Sequence, residues 1–384
     1  MSDLSACSDL VEHVSLLNEA QIIERIFKHI DNGTTDLGDT VWREPVAHYH
    51  TQERFDAEIA LLRSLPVPFC PSAALPEKGS YIARQAAGTP LLVVRGLDGE
   101  VRAFINACRH RGMQVAEGSG CSRSFVCPYH AWSYNLEGEL KGIPGADGFP
   151  DVDAKQHGLV EVSATEKGGI VYVKQKGQIN ADSMENCLDY FAPEQKMFQQ
   201  TELTDQANWK LLTETLLEGY HIKSLHRNTF YPYGLDNVNL VETFGANSRV
   251  IFPFRRIEKL RDIEPSKRRL DGTATSVYHL FPNASVSVLS KHSSLTIMEP
   301  LSPSSTRLVS YFMVNRQTDD IEISVEQAQR DAEFVQSSGQ DEDREAARAI
   351  QQTVTTEANT HLTFGYFEKA IVNFHQHLAK QLDR

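Results

Sequence analysis

Cys108-Arg109-His110-Arg111-Gly112, with Cys127-Pro128-Tyr129-His130-Ala131-Trp132 beginning after the sixteen residues that follow His110, is the stretch on which the reading of this chain turns. Each arm supplies one thiolate and one imidazole. Structural zinc also takes two Cys and two His, but its usual spacing groups the cysteines ahead of the histidines. The interleaved order suits a [2Fe–2S] cluster in which Cys108 and Cys127 hold one iron and His110 and His130 hold the other. Neutral imidazoles raise the potential at which such a cluster accepts an electron, so the two arms predict a one-electron relay. Gly112 and Pro128 let the arms turn tightly around it.

A chain of 384 residues is long enough for two domains, and 41% hydrophobic with 23% charged residues is an ordinary globular composition. Its net charge of −13 argues against nucleic acid or an anionic membrane as a partner, since both select basic surfaces. Of the six cysteines, Cys7, Cys70, Cys121 and Cys187 fall outside the cluster pattern and read as idle thiols of a reducing compartment. Cys121 lies between the arms but is not needed once both histidines bind. The N-terminus shows no apolar signal core and no run approaches 18 apolar residues, so a cytoplasmic protein without a membrane span is expected.

Residues 19–30 and 52–65 carry amphipathic helical patterns that end at Pro66, Pro68 and Pro71. From Gly79 the texture changes to short β runs at 81–84, 91–95 and 101–105, with Asp98-Gly99 as a hairpin turn, and again at 169–174. Polar residues 175–180 read as a linker. Helix is expected next, then a β meander including 249–254, 276–280, 284–289 and 308–314, then helices at 324–335, 341–355 and 366–382. The fold class is α+β, an antiparallel sheet backed by helices. The expected division is a helical segment 1–74, a cluster domain 75–175 and a catalytic domain 176–384.

A second constellation begins at Asn208-Trp209-Lys210 and runs through Glu214 and Glu218 to His221, with His226 five residues later. A continuous helix would place Glu214, Glu218 and His221 on one face and leave Trp209, Leu212 and Leu216 for the core. His226 does not follow, because five residues rotate about 500°, roughly 140° away from His221. If both histidines bind one metal, the helix must end or distort between them.

The two arms closely resemble the cluster loops of Rieske non-haem iron oxygenases. The 208–226 segment is similar to the iron-binding helix of that family, which carries an acidic residue three before its first histidine ligand and a second histidine five after it. The resemblance, which extends from about Leu75 onward, implies that His221 and His226 bind a mononuclear Fe(II) and that Glu218 is an acidic bridge between metal centres. Such a site needs a carboxylate as third ligand, leaving positions open for O2. Among Asp341, Glu342, Asp343 and Glu345, helical phase selects Asp343, which leads into Ala347, Ile350 and Val354, whereas Asp341 leads into Glu345, Arg348 and Gln352. The family's Glu-Asp pair with Gln eight residues on matches Glu342-Asp343 and Gln351. The alternative is an acidic helix start that favours the dipole.

The resemblance implies a terminal oxygenase with a Rieske domain joined to a helix-grip catalytic domain. A homotrimer is implied, in which Glu218 links His130 of one subunit to His221 of the next. The cofactors are a Rieske [2Fe–2S] cluster and mononuclear Fe(II). No Gly-rich dinucleotide fingerprint or plant-type ferredoxin spacing is present, so electrons are expected from a separate NAD(P)H-dependent flavin reductase, with or without a ferredoxin. The implied reaction is hydroxylation of a small organic substrate, aromatic in the first reading, with O2. The alternative is oxidative N-demethylation or hydroxylation of a quaternary ammonium compound. Glu in place of the commoner Asp at 218 resembles the quaternary-ammonium oxygenases, and Tyr220, Phe230, Tyr231, Tyr233, Tyr278 and Phe281 are candidates to cage a cation. An electron-transfer Rieske protein without catalysis would need only residues 75–175, and a zinc-stapled binding module would be colourless.

Overall fold

The computed structural model describes residues 16–316, 322–356 and 358–382, with residue 338 as backbone only. Cys7 and the N-terminal stretch read above as free of a signal core lie outside the described residues. Two seven-stranded antiparallel sheets organise the chain. The first runs in the order Val67–Pro71, Ile170–Lys174, Glu161–Lys167, Val101–Ile105, Thr89–Arg95, Ser80–Ala86, Gly118–Cys121. The turn expected at Asp98-Gly99 is present, with Gly99 at φ +95° and the Asp98 carboxylate accepting the Glu100 N–H at 3.1 Å.

The strand Thr89–Arg95 shows how this sheet joins its neighbours. Successive residues point to opposite faces of a strand, and here both faces are covered. Leu91 and Val93 pack with Val286, Leu295 and Ile297 of the second sheet, while Leu92 and Val94 pack beneath Cys108, Cys127, Trp132 and Tyr134. The cluster loops therefore rest on one side of a strand whose other side is fused to the rest of the molecule. A buried ion pair ties the same two parts together: Arg84 Nη1 donates to Glu299 Oε1 at 3.0 Å, and Glu299 Oε2 accepts the Ala87 N–H at 2.9 Å.

The second sheet is a meander of consecutive strands, Leu240–Phe244, Asn247–Pro253, Ala274–Leu280, Ala284–Val288, His292–Ser302 and Ser305–Val314, with Met197–Asp205 added at the edge. The sequence reading placed helix directly after the linker, and the structure corrects this with the strand Met197–Asp205. Its alternation is weak because an edge strand keeps polar residues such as Gln199, Gln200 and Glu202 toward water. His292–Ser302 was also missed, since His292-Ser293-Ser294 and Pro300 dilute its apolar pattern.

Helix α1, Glu19–Asn32, starts in an Asn18/Gln21 capping box and ends at Gly33 in the left-handed conformation. Its face of Ile22, Ile23, Ile26 and Phe27 packs on Leu240, Ile251 and Ile257. Helix α2, Gln52–Ser64, sets Leu61 against Phe364 and Phe374. The strand Trp42–Pro45 pairs with His361–Phe364, close to the far end of the chain. The described part of the N-terminal segment thus packs onto the second sheet and onto the strand and helix between residues 361 and 382. Among the described residues, no helix is long and apolar enough to cross a membrane.

Candidate metal centres and active site

Helix α3, Trp209–Glu214, begins where Asn208 Oδ1 accepts the Lys210 N–H, and buried partners hold it on every side. Trp209 Nε1 and Lys210 Nζ both donate to Glu58, at 2.8 and 2.7 Å, and the Asn208 N–H donates to Gln351 Oε1 at 2.7 Å. The continuous helix expected through His221 does not form. Regular helix stops at Glu214, and Glu214 turns away from the histidines into a buried cluster with the Tyr49 hydroxyl at 2.7 Å and His375 Nε2 at 2.8 Å. Beyond the break, Gly219 approaches Asn239 so closely that a Cβ would lie 2.5 Å from its side-chain amide. The chain then makes the short helix α4, Ile222–Leu225, with His221 and His226 at its two ends. The break precedes both histidines: between them the Leu225 N–H still donates to His221 O and the His226 N–H to Ile222 O, and the helix ends at His226, so the two imidazoles converge from opposite ends of one short turn.

The third member comes from helix α6, Asp341–Thr353, which follows α5, Val325–Val335, through one wider π-turn, Gln336–Gln340. Asp343, Ala347, Gln351 and Val354 are buried and Asp341 is exposed, as helical phase requires. Ile350, expected on the inward stripe, is instead 39% exposed. Gln351 takes the inner position, holding the start of α3 and donating to the Tyr49 carbonyl at 3.3 Å.

Donor atoms of His221, His226 and Asp343 lie within 4.8 Å of one another, the only such group of three among the described residues. Asp343 Oδ1 is 3.0 Å from His226 Nε2 and 3.4 Å from His221 Nε2. Both Nδ1 atoms are already engaged by carboxylates: His221 by Glu218, and His226 by Glu342 Oε2 at 2.7 Å. A carboxylate on Nδ1 fixes the tautomer with the proton there and leaves Nε2 as a lone pair. Three acceptors then face one another, and Asp343 Oδ1 is buried without a hydrogen-bond donor. Such an arrangement calls for a positive charge, which a metal ion at the centre of the three atoms supplies and which protons on Nε2 supply in its place. Burial opposes charge on His221, yet Asp343 and Glu218 push its imidazole up to about 10. Burial opposes charge on Asp343 too, but the two histidines hold its carboxyl below the usual range. Two imidazoles and one carboxylate are the donor set of a non-haem Fe(II) site with open positions.

The cluster arms share one backbone design. In the first, the Cys108 N–H donates to Met113 O and the Gly112 N–H to Cys108 O; in the second, the Cys127 N–H donates to Trp132 O and the Ala131 N–H to Cys127 O. Gly112 and Ala131, each four residues after its cysteine, both adopt positive φ, +78° and +58°. Cys108 and Cys127 are buried, while His110 and His130 meet at the surface with Nδ1 atoms 3.1 Å apart, a separation suited to two ligands of one iron. His110 is stacked on Trp132 with centroids 5.0 Å apart. The Tyr134 hydroxyl accepts the Arg109 N–H and lies 3.3 Å from Cys108 Sγ. Burial, with Cys108 nearby, pushes its pKa up, so it remains a protonated donor toward sulfur, a contact that raises a cluster's potential. Cys121 is exposed on the strand Gly118–Cys121, its thiol facing the Lys78 carbonyl.

Glu342 was read from the sequence as a candidate ligand and as half of the Glu-Asp pair, not as the partner of His226, and Tyr134 was not singled out. Nothing in the pattern marks Tyr134. The six aromatics considered for a cation cage do not assemble into one. Phe230 borders His226, centroids 5.0 Å apart, but Tyr231 lies under Arg255, Tyr278 against Tyr190, Phe281 against Phe374, Tyr233 against Phe334, and Tyr220 stacks on Phe367.

Residues 66–164 match the family described as the Rieske [2Fe-2S] domain, and residues 194–384 match the ring hydroxylating alpha subunit (catalytic domain). The glycine betaine monooxygenase oxygenase subunit of Chromohalobacter salexigens is 38% identical over 159 residues, 40% of this chain and 36% of that protein. The aligned region thus spans little more than a third of that relative. In structure, the chain is similar to a quaternary ammonium Rieske monooxygenase in complex with L-carnitine, with TM-score 0.74 and 20% identity over 88% of this chain and 95% of that one. Naphthalene 1,2-dioxygenase from Rhodococcus bound to indole gives TM-score 0.73 and 19% identity over 94% and 98%. At these identities the likeness is one of fold.

Proposed function

We propose that this chain, which belongs to the Rieske ring-hydroxylating oxygenases, is a terminal oxygenase that inserts oxygen from O2 into a small methylated ammonium compound. The observation that carries the oxygenase reading is the buried, donorless Asp343 Oδ1 facing two Nε2 atoms whose rings are fixed from behind. His221, His226 and Asp343 would hold Fe(II), and Cys108, His110, Cys127 and His130 the [2Fe–2S] cluster. Iron bound there supplies O2 activation, drawing electrons through the cluster.

The surrounding residues set the geometry of that chemistry. Glu218 accepts the His221 backbone N–H at 3.2 Å as well as its Nδ1–H, so one carboxylate fixes both the turn and the ring. Glu342 accepts the His226 Nδ1–H and, at 2.6 Å, the Thr229 hydroxyl. Tyr134 aims a proton at Cys108 Sγ and tunes the relay. A carboxylate at 218 can also take a proton from a histidine of a neighbouring cluster, which supports a homotrimer in which His130, Glu218 and His221 form the electron route. The working domain map is 1–74, 75–175 and 176–384, with the strand Val67–Pro71 of the first segment completing the sheet of the second. Cytoplasmic location and an NAD(P)H-dependent flavin reductase, with or without a ferredoxin, complete the reading.

Glu at 218 and the glycine betaine relative support the ammonium class over an arene. Asp343→Ala is expected to abolish product and mononuclear iron while leaving the Rieske spectrum intact. Full activity in that variant would refute the site. Supplying reductase, NADH and O2 to the wild type should yield product from methylated ammonium compounds. Product from aromatic acids alone would move the substrate class to arenes.

A further inference from the structure

Gly339 is a glycine that its own backbone does not call for. It lies in the π-turn Gln336–Gln340, its φ is not in the left-handed region, and glycine is a poorer helix former than alanine. What its missing side chain leaves room for is a ring. A Cβ at 339 would lie 1.8 Å from Cε2 and 2.1 Å from Cζ of Phe230. The same ring meets the His226 imidazole, centroids 5.0 Å apart and planes inclined at 57°. Gly339 also precedes Asp343 by four residues, about one helical turn. Phe230 is thus clasped between a proposed iron ligand and the bare backbone one turn before another.

We propose that Gly339 determines the size of substrate this site accepts: its notch holds the Phe230 ring back from the iron-facing space, and a side chain at 339 returns the ring to that space and excludes bulkier substrates. The inference rests on the assignment of His221, His226 and Asp343 made above. Because the ring already abuts His226, it cannot yield in that direction when the notch is filled.

The test compares wild type, Gly339→Ala, Phe230→Ala and the double variant, each with iron content and Rieske absorbance checked. Anaerobic calorimetry on the holoenzyme measures two size pairs: trimethylammonioacetate with its triethyl counterpart, and benzoate with 2-naphthoate. In the pair that the wild type binds, Gly339→Ala should weaken the larger probe at least tenfold relative to the smaller. In the Phe230→Ala background the same substitution should change that ratio less than twofold, because the coupling runs through the ring. Equal changes in both backgrounds would overturn the inference. If the wild type binds none of the four probes, the substrate class proposed above fails, and a crystal structure of Gly339→Ala decides the inference alone. A ring displaced from its place on His226 supports it, and a ring left there while the backbone shifts overturns it.

Discussion

Replacing Glu342 separates holding a ligand from being one. Its Oε2 accepts from His226 Nδ1 at 2.7 Å and from Thr229 Oγ1 at 2.6 Å, and its side chain is one-third exposed. Removing a partner behind a metal-bound imidazole costs about 10–100-fold in affinity, or ~1.4–2.7 kcal/mol at ~1.36 kcal/mol per decade. Glu342→Gln keeps an oxygen for the His226 Nδ1–H but loses the charge, and partial exposure screens part of what that charge contributes. About tenfold weaker Fe(II) binding is expected. Glu342→Ala frees the ring to rotate or change tautomer, and about a hundredfold loss is expected. The assay strips the mononuclear iron anaerobically and titrates Fe(II) against a competing chelator, with Rieske absorbance as internal standard. Unchanged Fe(II) affinity in Glu342→Ala, with that absorbance intact, would refute the reasoning.

Cys108→Ala or His130→Ala should bleach the red-brown cluster; stoichiometric zinc with no visible absorption in the wild type would instead favour the zinc alternative. Glu218→Gln should retain both metal centres but sharply slow single-turnover oxidation of the cluster with substrate and O2, and an unchanged rate would remove Glu218 from the electron route. Burial lowers the His279 imidazole to about 4, against ~6.5 in an unfolded chain. Between those values the unfolded chain binds the extra proton, so stability falls as pH drops from about 6.5 to 4, by up to ~3 kcal/mol from this residue. Thermal unfolding across that range should show a shallower pH slope in His279→Gln, and identical slopes would sink the assignment.

The cluster arms were legible because ligation imposes a short local pattern, and the same holds for the hairpin at Asp98-Gly99. The helical phase of Asp343 was legible too, although Ile350 left the stripe and Gln351 entered it. What sequence reasoning could not see was tertiary. Glu214 occupies a helical position that would align it with Glu218, yet the pull of Tyr49 and His375, distant by 165 and 161 residues, ends the helix there. The cation cage failed for a similar reason: neighbouring aromatics on a string diverged to different partners. Glu342 shows the reverse case, a residue adjacent to a chosen ligand whose role only the position of His226 reveals.

The pairing of Trp42–Pro45 with His361–Phe364 has a consequence for the order in which the protein is made. A ribosome adds roughly 5–20 residues per second, so His130, the last of the proposed cluster ligands, emerges on the order of 20 s before Asp343. Residues 67–174 contain every strand of the first sheet and both cluster arms, so that part can assemble early. The iron site cannot. Its proposed carboxylate, Asp343, arrives late, and the N-terminal strand waits for a partner more than 300 residues downstream. A nascent chain truncated after residue 316 would be expected to acquire colour from its cluster yet bind no mononuclear iron.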